Sequence, residues 1–379
     1  MNIPFNKPFI AGNELAYISE AVKSGKISGD GIFTKKCHAY FEEQLGFNKV
    51  LLTTSCTDAL EMAAILLDIK PGDEVIAPSY TFVSTVNAFV LRGAKIVFAD
   101  SNSENPNINP EHIESLISSK TKVIIPVHYA GIACDMDKIM AIAAKHNIYV
   151  VEDAAQAIDS FYKSKPLGTI GHLAAFSFHE TKNIIAGEGG LLSINHKPFA
   201  ERAEIIREKG TNRSKFFRGE VDKYNWVDIG SSFLPSEIIS AFLFAQLENL
   251  KTIQTKRKAI WNRYNNNLQN LAQSGQLRLP YIPDFATNNA HMFYVLTKDL
   301  EERNRFLAFL KQKGIYSVFH YISLHNSPFQ QSQHSESVNQ TLPYSDFYTD
   351  TLVRLPLFYE LTENEVDQIC EAIHQFFKQ

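Results

Sequence analysis

The chain has 379 residues, of which 45% are hydrophobic and 21% charged, with a formal net charge of -4. This is the balance of a globular protein with a sizeable core, and the length suits one large domain joined to a smaller one. No long run of either charge occurs, so a nucleic-acid or anionic-membrane surface is excluded as the main partner, whereas a phosphate-bearing ligand needs only a local site.

The opening MNIPFNKPFIAGNELAYISE lacks a basic start followed by an apolar stretch, so no secretory leader is expected. No run approaches the roughly 18 apolar residues of a membrane span. Cys37, Cys56, Cys134 and Cys370 lie far apart, in neither paired nor metal-ligand spacing. Reduced thiols in a cytoplasmic protein are the expectation.

From about residue 57 to 195 helical and strand patterns alternate. TDALEMAAILLDI predicts a helix, and PGD separates it from the strand EVIAPS. The pairs STVNAFVLRG and AKIVFAD, PEHIESLISS and TKVIIPVHY, and DMDKIMAIAAKHN and IYVVEDAAQ repeat the pattern. Apolar, non-alternating strands joined by helices predict an α/β fold with a mostly parallel sheet covered on both faces. KPFAERAEIIREKG predicts a helix ending at Gly210, and TNRSKFFRGEVDKYNW a basic loop. The stretch from SEIISAF to NLAQ reads as one long helix or two joined ones. A small α+β domain follows, with strands near HMFYVLT and IYSVFHY and helices near ERNRFLAFLKQKG and ENEVDQICEAIHQFF. QQSQHSESVNQ reads as a mobile polar loop. The expected division is a large domain over 1–250 and a small one over 251–379.

Ligands of open parallel sheets gather at the carboxyl ends of the strands, where three features fall. Ser55, Cys56 and Thr57 begin a helix whose free N–H groups and dipole favour an anion; an ordinary N-cap is the commoner use of such residues. Asp153 ends a nearly apolar strand, where a carboxylate is costly without a partner. A protonated pyridine nitrogen would be one such partner, and a capping or backbone-bonded role is the plainer alternative. Lys182 lies just after the strand in AAFSFHETKN, before the turn forced by GEGG. A desolvated lysine there can become an imine-forming amine, although most lysines are merely solvated. Phe82, beyond the strand at 74–79, could supply a ring for a cofactor to lie against. A metal site is not expected: His320 and His325 lack further ligands at suitable spacing. GEGG is not a dinucleotide fingerprint, and neither a P-loop nor a nucleophile elbow is present.

Taken together in this order, EDAAQ, FSFHETKN with GEGG, and PSYTFVST resemble the DegT/DnrJ/EryC1/StrS sugar aminotransferases over nearly the whole chain. The resemblance implies the type I (aspartate aminotransferase) fold, pyridoxal 5'-phosphate as cofactor with pyridoxamine phosphate as its aminated form, and a homodimer with shared active sites. It makes Lys182 the lysine that holds the cofactor and Asp153 the partner of the ring nitrogen. Phe82 would stack on the ring, and Gln156 would pack near its phenolic oxygen. Ser55, Cys56, Thr57 and Ser177 would hold the phosphate. Many members add an asparagine from the neighbouring subunit in a G-Y-N-Y-R motif; here GSSFL puts Ser232 at that position. Dehydratases of the family replace the lysine with histidine, which Lys182 argues against.

GTNRSKFFRGEVDKYNWVDIGSS and VFHYISLH resemble one branch, which forms dTDP-4-amino-4,6-dideoxygalactose for enterobacterial common antigen. That implies a dTDP-4-keto-6-deoxyglucose acceptor and L-glutamate as amino donor. Arg213, Lys215 and Arg218 are then candidates for the nucleotide diphosphate, and His320, Tyr321 and His325 for the sugar pocket. Amination at C3, the gluco epimer, and a non-catalytic sugar-nucleotide sensor of the same fold are the rival readings. An amino-acid aminotransferase is disfavoured, because no clear arginine motif for an α-carboxylate stands out.

Overall fold

The computed structural model describes residues 2–333 and 340–378. Its strands are β1 (Val50–Thr53), β2 (Glu74–Pro78), β3 (Lys95–Ala99), β4 (Thr121–Ile124), β5 (Tyr149–Asp153), the short β6 (Phe161–Tyr162) and β7 (Lys165–Pro166), β8 (Leu173–Ser177), β9 (Gly190–Ile194), β10 (Phe293–Leu296) and β11 (Leu352–Leu355). The helices are α1 (Glu14–Lys23), α2 (Ile32–Ala39), α3 (Cys56–Leu66), α4 (Ser84–Val90), α5 (Pro110–Leu116), α6 (Met136–His146), α7 (Ala200–Arg207), α8 (Arg213–Phe217), α9 (Glu237–Glu248), α10 (Leu250–Gln273), α11 (Leu300–Gln312), α12 (Pro328–Gln333), α13 (Pro343–Thr351) and α14 (Glu363–Phe377).

The central sheet has seven strands in the order β1-β9-β8-β5-β4-β2-β3. Pairs from β8 through β5, β4 and β2 to β3 are parallel, and only β9 runs against its neighbours. Successive strand side chains point to opposite faces, so Val150 enters one apolar cluster and Val151 the other. Both faces are therefore buried, which is why these strands read as unbroken apolar runs. Polar residues then fix the helix starts. Ser55, Asn109, Asp135, Asp299 and Thr362 each accept a backbone N–H of the helix they open, satisfying donors that would otherwise be orphaned.

Helices α9 and α10 are two joined helices, broken at Asn249. Beyond them Trp261, Tyr264, Phe293, Phe306 and Ile369 form a separate apolar core, and Ile3 joins it through a parallel bridge to Ile315. The first residues thus belong with this C-terminal lobe.

One predicted strand is absent. IYSVFHY forms no strand, and the partner of β10 is β11. IYSVFHY is bridged to β11 at Val318 and Arg354. The rings of His320 and Tyr321 stack at 3.5 Å between centroids, whereas neighbouring residues of a strand point apart. The basic loop contains the short α8, and the stretch QQSQ ends α12 rather than forming loop; residues 334–339 lie outside the described residues. Among those described, no helix is long and apolar enough to cross a membrane, and no His, Cys, Asp and Glu cluster is set to hold a metal.

Candidate active site

A cavity of about 630 Å³ opens at the carboxyl edge of the sheet, lined by Ser55, Cys56, Thr57, Phe82, Asp153, Gln156, Ser177, Lys182, His320 and Tyr321 among others. It also draws on Phe5, Asn6, His291 and Arg354, none of which the sequence singled out.

Asp153 is held at the end of β5 with 6% of its surface exposed. Its Oδ2 accepts the hydroxyl of Thr85 at 2.7 Å and its Oδ1 accepts the N–H of Ala155 at 3.1 Å. A carboxylate has about four acceptor positions, so each oxygen can still meet a cationic N–H from the cavity. Behind it, Glu152 is fully buried and accepts the N–H groups of Gly168, Ile170 and Gly171. Its fourth partner is His128 Nε2 at 2.9 Å. The N–H of Cys134 donates to His128 Nδ1, so the ring proton sits on Nε2. Burial acts to raise the pKa of Glu152, yet His128 and the backbone donors outweigh it and hold it below the ordinary carboxyl value. The end of β5 is thereby fixed from behind.

Lys182 sits in the turn after β8, where its N–H donates to His179 O. Burial lowers its pKa from the ordinary lysine value, while Cys56 and Asp153 act in the opposite direction. More of the amine is therefore neutral and nucleophilic than on an exposed lysine.

Ser55 caps α3 through Asp58 N at 3.0 Å, and Thr57 donates its hydroxyl to Ser84 at 2.9 Å. Gly190 lies directly beneath: a Cβ there would stand 2.3 Å from Ser55 O and 2.4 Å from Cys56 N. Only a glycine lets β9 carry this helix start so close to the sheet. Burial, then the charge of Asp153, push the Cys56 thiol well above its ordinary pKa, so it adds no negative charge beside an anion.

Gln156 accepts the N–H of Ala130 and donates to the Tyr321 hydroxyl oxygen at 3.0 Å. Phe82 is 56% exposed at the cavity wall, so its ring is open to the cavity. His320 shares a hydrogen bond with Tyr129 at 2.7 Å. His291 bonds Asn183 Oδ1 at 2.8 Å. Asn183 Nδ2 already donates to Gln254 and Asn289, so His291 Nδ1 is the donor and its Nε2 is left as an acceptor.

Five expected residues lie elsewhere. His325 does not line the cavity; it bonds Ser79 Oγ at 2.7 Å and faces Asp346 at 3.5 Å, so it braces the turn before Phe82. Arg213 pairs with Glu208, Arg218 with Glu204 and Glu220, and Lys215 with Glu201, all within their own chain. Ser232 is exposed, bridged to Glu208, and outside the lining of its own chain's cavity.

The profile of the DegT/DnrJ/EryC1/StrS aminotransferase family matches residues 8–374. The chain belongs to that family. It is 31% identical over 99% of its length, and 97% of the relative, to the spore coat polysaccharide biosynthesis protein SpsC of Bacillus subtilis. Spr1654 of Streptococcus pneumoniae, assigned as a sugar aminotransferase, superposes with a TM-score of 0.91 at 26% identity, covering 100% of this chain and 98% of that one in its pyridoxamine phosphate form. It is also known in a pyridoxal phosphate form. An aminotransferase of Psychrobacter cryohalolentis gives 0.92 at 27% identity, covering 99% of both chains. The fold is thus the type I aminotransferase fold, and the protein is a pyridoxal-phosphate-dependent sugar aminotransferase of the DegT/DnrJ/EryC1/StrS family. The residues present fit that cofactor: a neutralisable amine, a buried carboxylate with free acceptor positions, a helix start cleared by Gly190, and an uncovered aromatic ring share one cavity.

Proposed function

We propose that this enzyme converts dTDP-4-keto-6-deoxy-D-glucose and L-glutamate to dTDP-4-amino-4,6-dideoxy-D-galactose and 2-oxoglutarate, as a homodimer. The observation that carries the reading is the meeting of Lys182 and Asp153 with His320 and Tyr321 in one cavity. It joins the general transamination residues to the segment VFHYISLH, which marks the dTDP-sugar branch.

When bound, pyridoxal phosphate supplies an electron sink that acidifies the C–H bond beside the transferred nitrogen. Lys182 holds the cofactor between turnovers. Freed by the donor's amine, its Nζ would move a proton within each half-reaction as general base and then acid, from the donor carbon to the cofactor in the first and from the cofactor to the sugar carbon in the second. Burial keeps that amine readily neutral. Asp153, braced by Thr85 and Ala155, keeps the ring nitrogen protonated. Phe82 would cover one ring face, Gln156 would lie beside the phenolic oxygen, and the start of α3 with Ser177 would receive the phosphate. The exposed loop carrying Arg213, Arg218 and Trp226, the last 82% exposed, together with Ser232, is the part of each subunit that reaches its partner's site.

The test is the visible absorbance of the holoenzyme, followed through addition of L-glutamate and then of dTDP-4-keto-6-deoxyglucose. Glutamate is expected to bleach the cofactor band and the keto sugar to restore it, with NMR of the product showing an axial C4 amine. Bleaching without restoration sinks the acceptor; an equatorial amine sinks the product.

A further inference from the structure

The segment Asn289–Ala290–His291, which leads into β10, has no task in the chemistry above. Asn289 is fully buried. Its Nδ2 donates both protons to main-chain carbonyls of the loop that follows Asp153, Gln156 O and Ile158 O, each at 2.8 Å. Its Oδ1 accepts the N–H of His291 at 3.0 Å. A Cβ on Gly131 would stand 2.1 Å from that oxygen, so only a glycine there leaves the amide its room.

The same segment reaches the lysine turn. Asn183 follows Lys182 directly and is buried. Its Nδ2 donates to Asn289 O and to Gln254 Oε1, both at 2.8 Å, and its Oδ1 accepts from His291 Nδ1 at 2.8 Å. A main-chain carbonyl only accepts, so these contacts fix the orientation of both asparagine amides and the tautomer of the ring. Behind them stand Gln254 and Arg257, three residues apart on α10 and hence on one face. Gln254 Nε2 donates to Asn289 O and to Asp159. The buried guanidinium of Arg257 donates to Ala290 O at 3.1 Å and to His291 O at 2.7 Å. Ala290 is held at a φ of 52°, a left-handed conformation that persists in such a residue only where its surroundings over-determine it.

The ladder between β5 and β8 ends at Asp153 and Ala175, well before Lys182, so the sheet alone does not set where the amine stands. Resting on the roles proposed above for Lys182 and Asp153, we infer that Asn289 and His291 are positioning residues. They tie the lysine turn, through Asn183, to the loop after Asp153, and so hold the amine in register with the carboxylate from the C-terminal lobe. A satisfied buried polar network specifies one arrangement, which apolar packing alone does less sharply. His291 acts here through its Nδ1–H and not through its Nε2.

The experiment compares wild type with His291→Asn, His291→Phe and Asn183→Ala. An asparagine amide can stand where imidazole Nδ1 stands but offers nothing at Nε2, whereas phenylalanine keeps a ring and loses both nitrogens. The first readout needs no cofactor: the pH dependence of cyanate carbamoylation of Lys182 in apoenzyme, read on its peptide by mass spectrometry. A turn released from this tie admits water to the amine. In His291→Phe and Asn183→Ala the midpoint should therefore rise toward that of an ordinary lysine by about one unit, the differential effect of one hydrogen bond. In the holoenzyme both half-reactions should slow about 100-fold at saturation, as displacement of a reacting group by about 1 Å implies. Half-saturating concentrations of both substrates should stay within about threefold. His291→Asn should match wild type in both readouts, and combining His291→Phe with Asn183→Ala should be no worse than either alone. An unshifted midpoint with saturated rates near wild type, in His291→Phe or in Asn183→Ala, overturns the inference. A His291→Asn variant as impaired as His291→Phe also overturns it, because Nε2 is then the atom that matters. So does a defect confined to the half-saturating concentrations, or a lowered melting temperature with neither readout moved. Should one of the two disruptive variants not fold, the other decides alone. Wild type that forms no absorbance band with pyridoxal phosphate overturns the role of Lys182 itself, and this inference with it.

Discussion

Thr85 donates its hydroxyl to Asp153 Oδ2 across 2.7 Å, and Thr81 stands 2.8 Å behind it in the same hydroxyl chain. With Thr85 committed as donor to the carboxylate, Thr81 must be the donor to Thr85. The segment that presents Phe82 to the cavity therefore also orients the carboxylate. Thr85→Val is nearly isosteric but removes the donor. A lost bond to a charged group costs about 1.5–3 kcal/mol, so pyridoxal phosphate affinity, read by absorbance titration, should fall roughly tenfold or more. Unchanged affinity would show that Asp153 needs no brace.

Lys182→Ala removes both the holder of the cofactor and the mobile base. Turnover should fall by at least about 1000-fold, the upper part of the range for a general base together with covalent attachment. The cofactor should also wash out on dialysis. Activity near wild type would sink the assignment.

Gly190→Ala tests the seating of α3. The added methyl meets Ser55 O and Cys56 N, at 2.3 and 2.4 Å, and both are backbone atoms that cannot swing aside. Overpacking of this kind costs about 1–3 kcal/mol. The melting temperature should drop, and added phosphate or pyridoxal phosphate should protect the variant less than wild type. A variant as stable and as well protected as wild type would mean that the helix start has slack.

Stability should weaken in mild acid. Burial, followed by the charge of Arg207, holds His38 well below the ordinary imidazole range; burial and then Lys182 do the same for His291. His38 Nε2 also accepts the N–H of Leu52 at 3.0 Å, which requires the neutral ring. Below about pH 6.5 the unfolded chain gains protons that these rings refuse, so unfolding free energy falls as pH falls, by at most about 1.4 kcal/mol per pH unit for each ring. Above that value they contribute no slope. Urea unfolding of apoenzyme at pH 6.5 and 5.5 measures it. His38→Gln, whose amide oxygen can still accept from Leu52, should lose part of the slope; an equal slope in both proteins refutes His38 as a contributor.

What the sequence disclosed follows from how each residue advertises itself. The sheet was legible because both its faces are buried, so every strand is an apolar run between helices. Lys182 and Asp153 were legible because a charged residue ending such a run is conspicuous. Arg354 was hidden inside LVRLPLF, where β11 itself went unread, and only the pairing with β10 shows which way it faces. His291 and Phe5 reach the cavity from distant stretches, and nothing local records that. IYSVFHY has strand composition but turns so that His320 and Tyr321 stack. His325 was grouped with His320 by proximity in sequence, yet it supports Ser79. Arg213 and Arg218 read as free charges because the pattern of the loop does not show that Glu208 and Glu204, at the end of α7, fold back against them.

The bridge from Ile3 to Ile315 has a consequence for biosynthesis. On the ribosome the segment carrying Phe5 emerges well before the lobe that anchors it. The sheet, with Asp153 and Lys182 in place, can form beforehand, yet its mouth stays unfinished until the lobe folds and draws Ile3 in. A nascent chain can thus acquire the means to take up its cofactor before it acquires a closed chamber in which to use it.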